Sequence, residues 1–268
     1  MVALPQPPRV GELLRSWRQR RKLSQFELSL DSAVSARHLS FIETGRARPS
    51  REMVLHLAER LEVPLRDRNG LLLAAGYAPA YSGRSLDDPE MAVAKDALDR
   101  VLAAHQPYPA VVLDRAWNIV AANDAVGVLL EDVAPRLLEP PANALHITLQ
   151  PDGMAARISN LAEWSGHLLQ RLERRAAITG DQELARLHAE LAALPGVRGE
   201  PPRSDTAAEI ALPLRLRRGR EELAFISTQT TFGTAVDFTL AELSLEAFYP
   251  ADAVTANAVH DLRSGTSG

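Results

Sequence analysis

Residues 23–50 read LSQFELSLDSAVSARHLSFIETGRARPS, and their punctuation predicts two short helices joined by a tight turn. Ser24 caps the first helix, and Glu27 follows three residues later to complete a capping box. Ser35 opens a second helix that closes at Gly45, with Leu39 and Ile42 on its inward face. Two capped helices about a turn of roughly three residues form a helix-turn-helix unit, in which the second helix is the one shaped for a major groove.

The flanks extend the helical pattern. Val10, Leu13, Leu14 and Trp17 repeat along one helix face, with Arg15, Arg18, Arg20, Arg21 and Lys22 over much of the rest. Ser50 caps a fourth helix, with Val54, Leu57, Ala58 and Leu61 in one stripe and Pro64 ending it. A fifth runs from Leu65 to Gly76. These five helices predict an all-α first domain over residues 1–80.

From Gly76 to Glu90 the chain reads GYAPAYSGRSLDDPE, rich in Gly, Pro and Ser and without apolar period. Residues 81–90 are expected to link the first domain to a second, 91–268. The second begins with a helix over 90–104. PAVVLD and WNIVAA then read as strands joined by Asp114–Arg115–Ala116. Residues 123–131 suit a helix; Pro135, Pro140 and Pro141 mark a loop. Helices are expected over 160–178 and 182–194, and PGVRGEPPRSD is a second loop. Ile210, Leu212, Leu214 and Leu216 alternate beside Pro213, a hint of an edge strand. Residues 222–231 are β-rich. Val236, Phe238 and Leu240 alternate, then Ala241, Leu243, Leu245 and Ala247 continue one residue out of step, as a β-bulge would produce. Five strands split two plus three around helices predict an α+β domain with one five-stranded antiparallel sheet.

Composition narrows the function. The 268 residues hold no cysteine, which removes disulfide scaffolds, Cys-based zinc sites and thiol nucleophiles. No uncharged apolar run approaches the roughly 18–20 residues of a membrane span. The N-terminal charges follow the apolar residues, the reverse of a signal peptide, so a cytoplasmic protein without membrane contact is expected. The net charge of −4 hides an asymmetry. Residues 1–86 hold 14 Lys and Arg against 8 Asp and Glu, a net of +6; residues 87–268 hold 16 against 26, a net of −10. A basic head on an acidic body suits a head that meets a polyanion, here double-stranded DNA. Enzyme signatures are missing: there is no Gly-rich phosphate loop, GxSxG or HExxH, and the seven histidines lack ligand spacing. A non-enzyme without metal or cofactor is expected. The alternative is an enzyme or ligand carrier in the second domain, with the helix-turn-helix as a localisation module.

The exposed set on the reading helix is Ser35, Ala36, Arg37, Ser40 and Phe41. Arg37 can pair bidentately with guanine, a contact worth roughly 1–3 kcal/mol of discrimination; Ala36 and Phe41 can pack on thymine methyls. Phe41 can equally fold into the core. Ser24 and Gln25 at the start of the preceding helix, with Arg46 and Arg48 beyond Gly45, suit phosphates.

The same stretch resembles the Cro/repressor-type, or XRE, helix-turn-helix. The shared pattern is Leu23-Ser24-Gln25, Leu28, Val34-Ser35, Ile42-Glu43, Gly45 and Pro49-Ser50. The resemblance implies that Gln25 and Ser35 to Phe41 face DNA, while Leu28, Val34, Leu39 and Ile42 are core. The family usually has Gly in the inter-helix turn, where this chain has Ala33. Either Ala33 is left-handed, at a cost of about 1–2 kcal/mol, or the turn relaxes. Ser29 also stands where Ala is usual.

Over nearly the whole length the chain resembles one branch of these regulators, the MmyB-like family. RHLSFIETGRARPSREMVLHLAERLEVPLRDRNGLLLAAGYAPAY, LQPDGMAARISNLAEW and STQTTFGTAVDFTLAELSLEAFYPADAVT carry that resemblance. It implies a bacterial transcription regulator whose C-terminal PAS-like domain binds a fatty acid or similar acyl ligand. Candidate pocket residues are Trp117, Asn123, Trp164, Phe225 and Phe232, for the aromatics of which plain core packing is the competing role. Asn123, Pro151, Gly153, Asn160, Trp164, Asp237, Glu242 and Glu246 match the family and serve either pocket or fold, with the carboxylates near the last strand more readily structural. His146, Arg157 and His167 are the nearest cations for a ligand carboxylate. A homodimer is expected, with residues 160–194 as its candidate surface.

Overall fold

A computed structural model of the chain describes residues 9–197, 211–232, 235 and 237–265. It divides into two compact units, the first made in the main of residues through Arg84, the second in the main of those from Ser85.

The first unit is five helices: α1 (Val10–Arg20), α2 (Gln25–Ser32), α3 (Ala36–Glu43), α4 (Arg51–Arg60) and α5 (Leu65–Ala74). The three serine caps form as the sequence predicts. Ser24 Oγ accepts the Glu27 amide at 3.1 Å while Glu27 accepts the Ser24 amide at 2.6 Å. Ser35 and Ser50 accept the amides of His38 and Met53, each at 3.2 Å. Each cap satisfies a donor that the first helical turn leaves without an intrahelical partner. Leu14, Trp17, Leu28, Leu39, Ile42, Val54, Leu57 and Leu61 form the core.

Between α2 and α3, Ala33 sits at φ 53°, ψ 27°. The turn keeps its left-handed residue and does not relax, so Ala33 bears the steric cost that glycine avoids. Ala33→Gly should raise the unfolding free energy of the head by about 1 kcal/mol, read as a higher urea midpoint with an unchanged m-value. Ser29, half-buried, donates its hydroxyl to the Phe26 carbonyl at 2.7 Å. Beyond α5, Asn69 accepts the amides of Ala80 and Tyr81 and donates to the Tyr81 carbonyl.

The second unit opens with α6 (Ala92–Ala104), then β1 (Ala110–Leu113), β2 (Ile119–Ala122), α7 (Gly127–Leu130), α8 (Ala144–Leu149), α9 (Leu161–Thr179) and α10 (Gln182–Ala192). It continues with β3 (Leu214–Arg218), β4 (Glu221–Thr231), β5 (Ser244–Pro250) and α12 (Ala253–Gly265), while the intervening α11 (Phe238–Glu242) falls, but for Glu242, in the first unit. The five strands make one sheet in the order β2-β1-β5-β4-β3, every pairing antiparallel. β3 is an edge strand with Pro213 just before it. Pro lacks the N–H that an interior strand needs there.

Three expectations are corrected. Phe238–Glu242 is helical, not a bulged strand: Asp237 accepts the Thr239 amide at 2.8 Å and its carbonyl accepts Ala241. The change of phase at Ala241 marks a helix-to-strand junction, and the sheet's irregularity falls between Val112 and Leu113 instead. Val236, part of that reading, lies outside the described residues, as do Ile210 and most of the PGVRGEPPRSD loop. Helices α8 and α12 were not expected. Asn143 caps α8 by accepting the amides of Leu145 and His146, and Asp252 accepts the Thr255 amide at the start of α12. Finally, the apolar stripes of α9 and α10 are spent inside their own unit. Trp164, Leu168, Leu169, Leu172, Leu184 and Leu191 all lie in its core, which removes the apolar face that recommended 160–194 as a dimer surface.

Candidate nucleic-acid interface and ligand cavity

Helix α3 carries Ala36, Arg37, Ser40 and Phe41 in one strip, spaced three and four residues apart and turned from the buried Leu39 and Ile42. Arg37 and Ser35 are exposed; Ala36, Ser40 and Phe41 are half-buried. The Arg37 guanidinium lies 5.4 Å from the Phe41 ring centroid, one turn away. A cation over an aromatic face gains electrostatically, and the pairing pre-positions the guanidinium along the strip. Ser24 is exposed at the N-terminus of α2 and Arg46 just after Gly45.

Two of the expected phosphate contacts also have structural work. Gln25 Nε2 donates to Glu43 Oε2 at 2.8 Å. Arg48 donates to the Ala75 carbonyl at 3.0 Å and lies 5.7 Å from the Tyr77 ring, which ties it to the C-terminal end of α5.

Glu43 anchors the reading helix from behind. Arg18 reaches it from α1 with two bonds, Nε to Oε1 at 2.7 Å and Nη2 to Oε2 at 2.9 Å, and gives Nη1 to the Leu23 carbonyl at 2.7 Å. Both residues are buried. Burial pushes the Glu43 carboxyl up, but the bonds from Arg18 and Gln25 outweigh it and hold the group below its ordinary value. One ion pair thus fixes α3 against α1 and the start of α2.

In the second unit, strands β1, β2 and β5 and helices α7, α8 and α9 surround an apolar cavity of about 240 Å³. Of its twenty lining residues only Thr148 and Glu246 are polar. Trp117 and Trp164 both line it, and both are buried. Trp117 holds φ at 64°, a costly conformation for a bulky residue. Its neighbours over-determine it. Asp114 accepts the amides of Ala116 and Asn118, and the Trp117 carbonyl accepts the Ala144 amide. The Arg175 guanidinium lies 4.8 Å from its ring centroid.

The other expected pocket residues lie elsewhere. Phe225 is wholly buried in the core and does not line the cavity, nor does Phe232, half-buried at the end of β4. Asn123 is a brace: Oδ1 accepts the Ala110 amide, and Nδ2 donates to the carbonyls of Tyr108 and Leu102. Arg157 donates to the carbonyls of Val128, Leu129, Glu131 and Arg217, which engages its guanidinium away from a ligand. His146 Nε2 lies 3.2 Å from Glu190 Oε1 without a hydrogen bond between them. Among the family-like positions, Gly153 is explained by space, since a Cβ there would meet the Ile147 carbonyl oxygen at 2.1 Å. Asn160 bridges to β3, bonding Pro213 and Arg215. Glu246, expected to be structural, faces the cavity.

A capped helix-turn-helix with an exposed reading strip, on one chain with an apolar cavity, defines a DNA-binding regulator with a ligand-binding domain. Comparison with known proteins agrees. Residues 94–262 match the MmyB-like transcription regulator ligand binding domain and residues 9–71 a helix-turn-helix domain; the chain belongs to the MmyB-like transcription regulators. It is also 43% identical over 68 residues to the HTH-type transcriptional repressor RghR of Bacillus subtilis (strain 168), an alignment covering 25% of this chain. The chain spans about half, 48%, of that repressor's length. No described helix is long and apolar enough to cross a membrane.

Proposed function

We propose that this regulator is a cytoplasmic homodimer whose PAS-like second unit holds an acyl ligand, a fatty acid or close relative, and whose occupancy sets operator affinity. The observation that carries the reading is the cavity, apolar on every side but two and walled by two tryptophans. At about 240 Å³ the cavity exceeds many times over the space one water needs, and its apolar lining suits an alkyl chain rather than solvent. A dimer follows from the head. One reading helix contacts too little DNA, and paired heads address half-sites about 10 base pairs apart. Ligand shifts operator affinity only through its differential affinity for the two dimer states.

Mass spectrometry of small molecules released from the purified protein is expected to find an acyl compound. Titration of operator binding with that compound should change the affinity; an unchanged affinity at saturation overturns the sensor reading. Sedimentation of the protein–operator complex as a monomer overturns the dimer.

The head offers a sharper prediction. Arg37→Ala should cost about 1–3 kcal/mol on the cognate operator and relax preference at one base position. Arg46→Ala should weaken binding to all sequences and lower the salt slope by about one. Gel-shift titrations on specific and random DNA at several salt concentrations separate the two. Equal losses on both DNAs from Arg37→Ala would refute base reading.

A further inference from the structure

Helices α9 and α10 spend their apolar stripes inside their own unit, and α6 does not. The inward face of α6 is set by Leu98 and Leu102, both buried. On its outward face Val93, Ala97, Val101 and Ala104 recur every three or four residues and form one stripe along the helix. All four are exposed, Val93 at 82% and Val101 at 39%. Valines held in register against water leave hydrophobic free energy that only a partner surface can recover.

The charges around the stripe decide what it fits. Asp96 and Arg100, one turn apart, border one flank. Both are exposed, and among the described residues neither side chain holds a hydrogen bond or an ion pair. Lys95 and Asp99 lie on the side of the helix away from the stripe, where Lys95 pairs with Asp87 at 2.8 Å. The stripe thus carries one acid and one base on the same edge. A partner charged with one sign gains nothing there, attracted by one residue and repelled by the other. A two-fold axis suits it, because in an isologous contact residue i meets j while j meets i. Two copies of α6 crossing antiparallel at Ala97 set Val93 of each over Val101 of the other. The same crossing brings Asp96 of each beside Arg100 of the other, two ion pairs from one patch. Alanine at the crossing and at position 104 lets the axes approach to the roughly 8–10 Å of packed helices.

We propose that the outward stripe of α6 is the surface through which two copies of this chain pair, antiparallel and centred on Ala97. The pairing presupposes the homodimer proposed above and supplies the surface that α9 and α10 cannot. One helix from each copy makes a contact at the small end of interfaces, under roughly 1,200 Å² in total, so the free dimer is weak and operator DNA, engaging both heads, completes it.

Sedimentation of the full-length protein over a concentration series, alone and on operator DNA, tests this. Ala97→Glu sets two carboxylates against each other at the axis and should weaken dimerisation at least about tenfold. Asp96→Arg and Arg100→Asp each turn two attractions into two repulsions and should each weaken it about tenfold. Mixed together, those two charge variants should pair with each other, since every contact between the chains is again opposite in sign. All three positions are exposed, so helix content and thermal midpoint should stay close to wild type. A dimeric wild type whose variants associate as strongly as it does overturns the α6 surface and leaves the stripe to another partner. Failure of the two charge variants to pair when mixed overturns it as well. A wild type that stays monomeric at every concentration and on operator removes the homodimer itself, an outcome distinct from a misplaced surface.

Discussion

Glu43→Gln is expected to destabilise the helical head by about 3–5 kcal/mol, the usual loss when one partner of a buried ion pair is removed. The variant keeps an oxygen for Gln25 but turns an amide toward the Arg18 guanidinium, which stays buried at the centre of α1, α2 and α3 without its counter-charge. Since folded domains are stable by only about 5–15 kcal/mol, much of the head's margin disappears. Loss of operator binding should track loss of the folded head in thermal scans. The wild-type pair also predicts a pH dependence. The folded Glu43 pKa lies below the ordinary value of 4.5, so the unfolded state takes up its proton first. The pair's contribution is complete above that ordinary value and is lost as the pH falls through the folded one. Acid titration of wild type against Glu43→Gln should show the stability gap narrowing on the acid side only. A variant as stable as wild type at neutral pH would show that the pair does not hold the reading helix.

The second large effect comes from a residue that sequence rules would invite one to replace. Gly11 lies inside α1, where alanine is normally better by roughly 0.5–1 kcal/mol. A Cβ at Gly11 would meet the Ile42 carbonyl oxygen at 2.2 Å and the Glu43 carbonyl oxygen at 2.9 Å. Both obstacles are backbone at the C-terminal end of α3, so neither can swing aside. Gly11→Ala should therefore force α1 away from α3 and cost about 3 kcal/mol, the upper range for overpacking a close-packed site. Gly70, in α5, is the control: a Cβ there meets nothing within 4 Å, and Gly70→Ala should gain roughly 0.5–1 kcal/mol from helix propensity. Chemical denaturation of the two variants should move in opposite directions. Two changes of the same sign would contradict the close approach of α1 to α3.

These cases show what was legible in the sequence. Ser24, Ser35 and Ser50 announced their helices because a cap and a 3.6-residue period are local signals, complete within a few residues. Leu39 and Ile42 followed from the same period. Helix α8 escaped because six residues are too few to display a period, although Asn143 was present as a cap. Helix α11 was hidden by coincidence, since Phe238 and Leu240 satisfy an alternating pattern as readily as a helical one. The site was legible only in part. Trp117 and Trp164 stand out as large apolar residues, yet Phe225 is the same kind of residue and fills the core instead. Nothing local distinguishes a ring that lines a void from one that plugs it. The inward turn of Glu246 ran against the expectation for a strand carboxylate, and its partner Arg171 is 75 residues away in the chain. Arg157 looked available for a ligand because the carbonyls that consume it, from Val128 to Glu131 and at Arg217, lie far from it in sequence.

The cavity is built unevenly. Its floor draws on β1, β5 and the edge strand β2, and β1 and β5, neighbours in the middle of the sheet, are each hydrogen-bonded along both edges. Its roof includes α7 and α8, pieces of four and six residues set among turns. Ladders held from two sides resist remodelling, whereas short caps can be traded, lengthened or re-aimed without disturbing a register. Diversification of ligand size among such regulators should accordingly concentrate in the segment from Gly127 to Leu149, with the floor left as a constant platform.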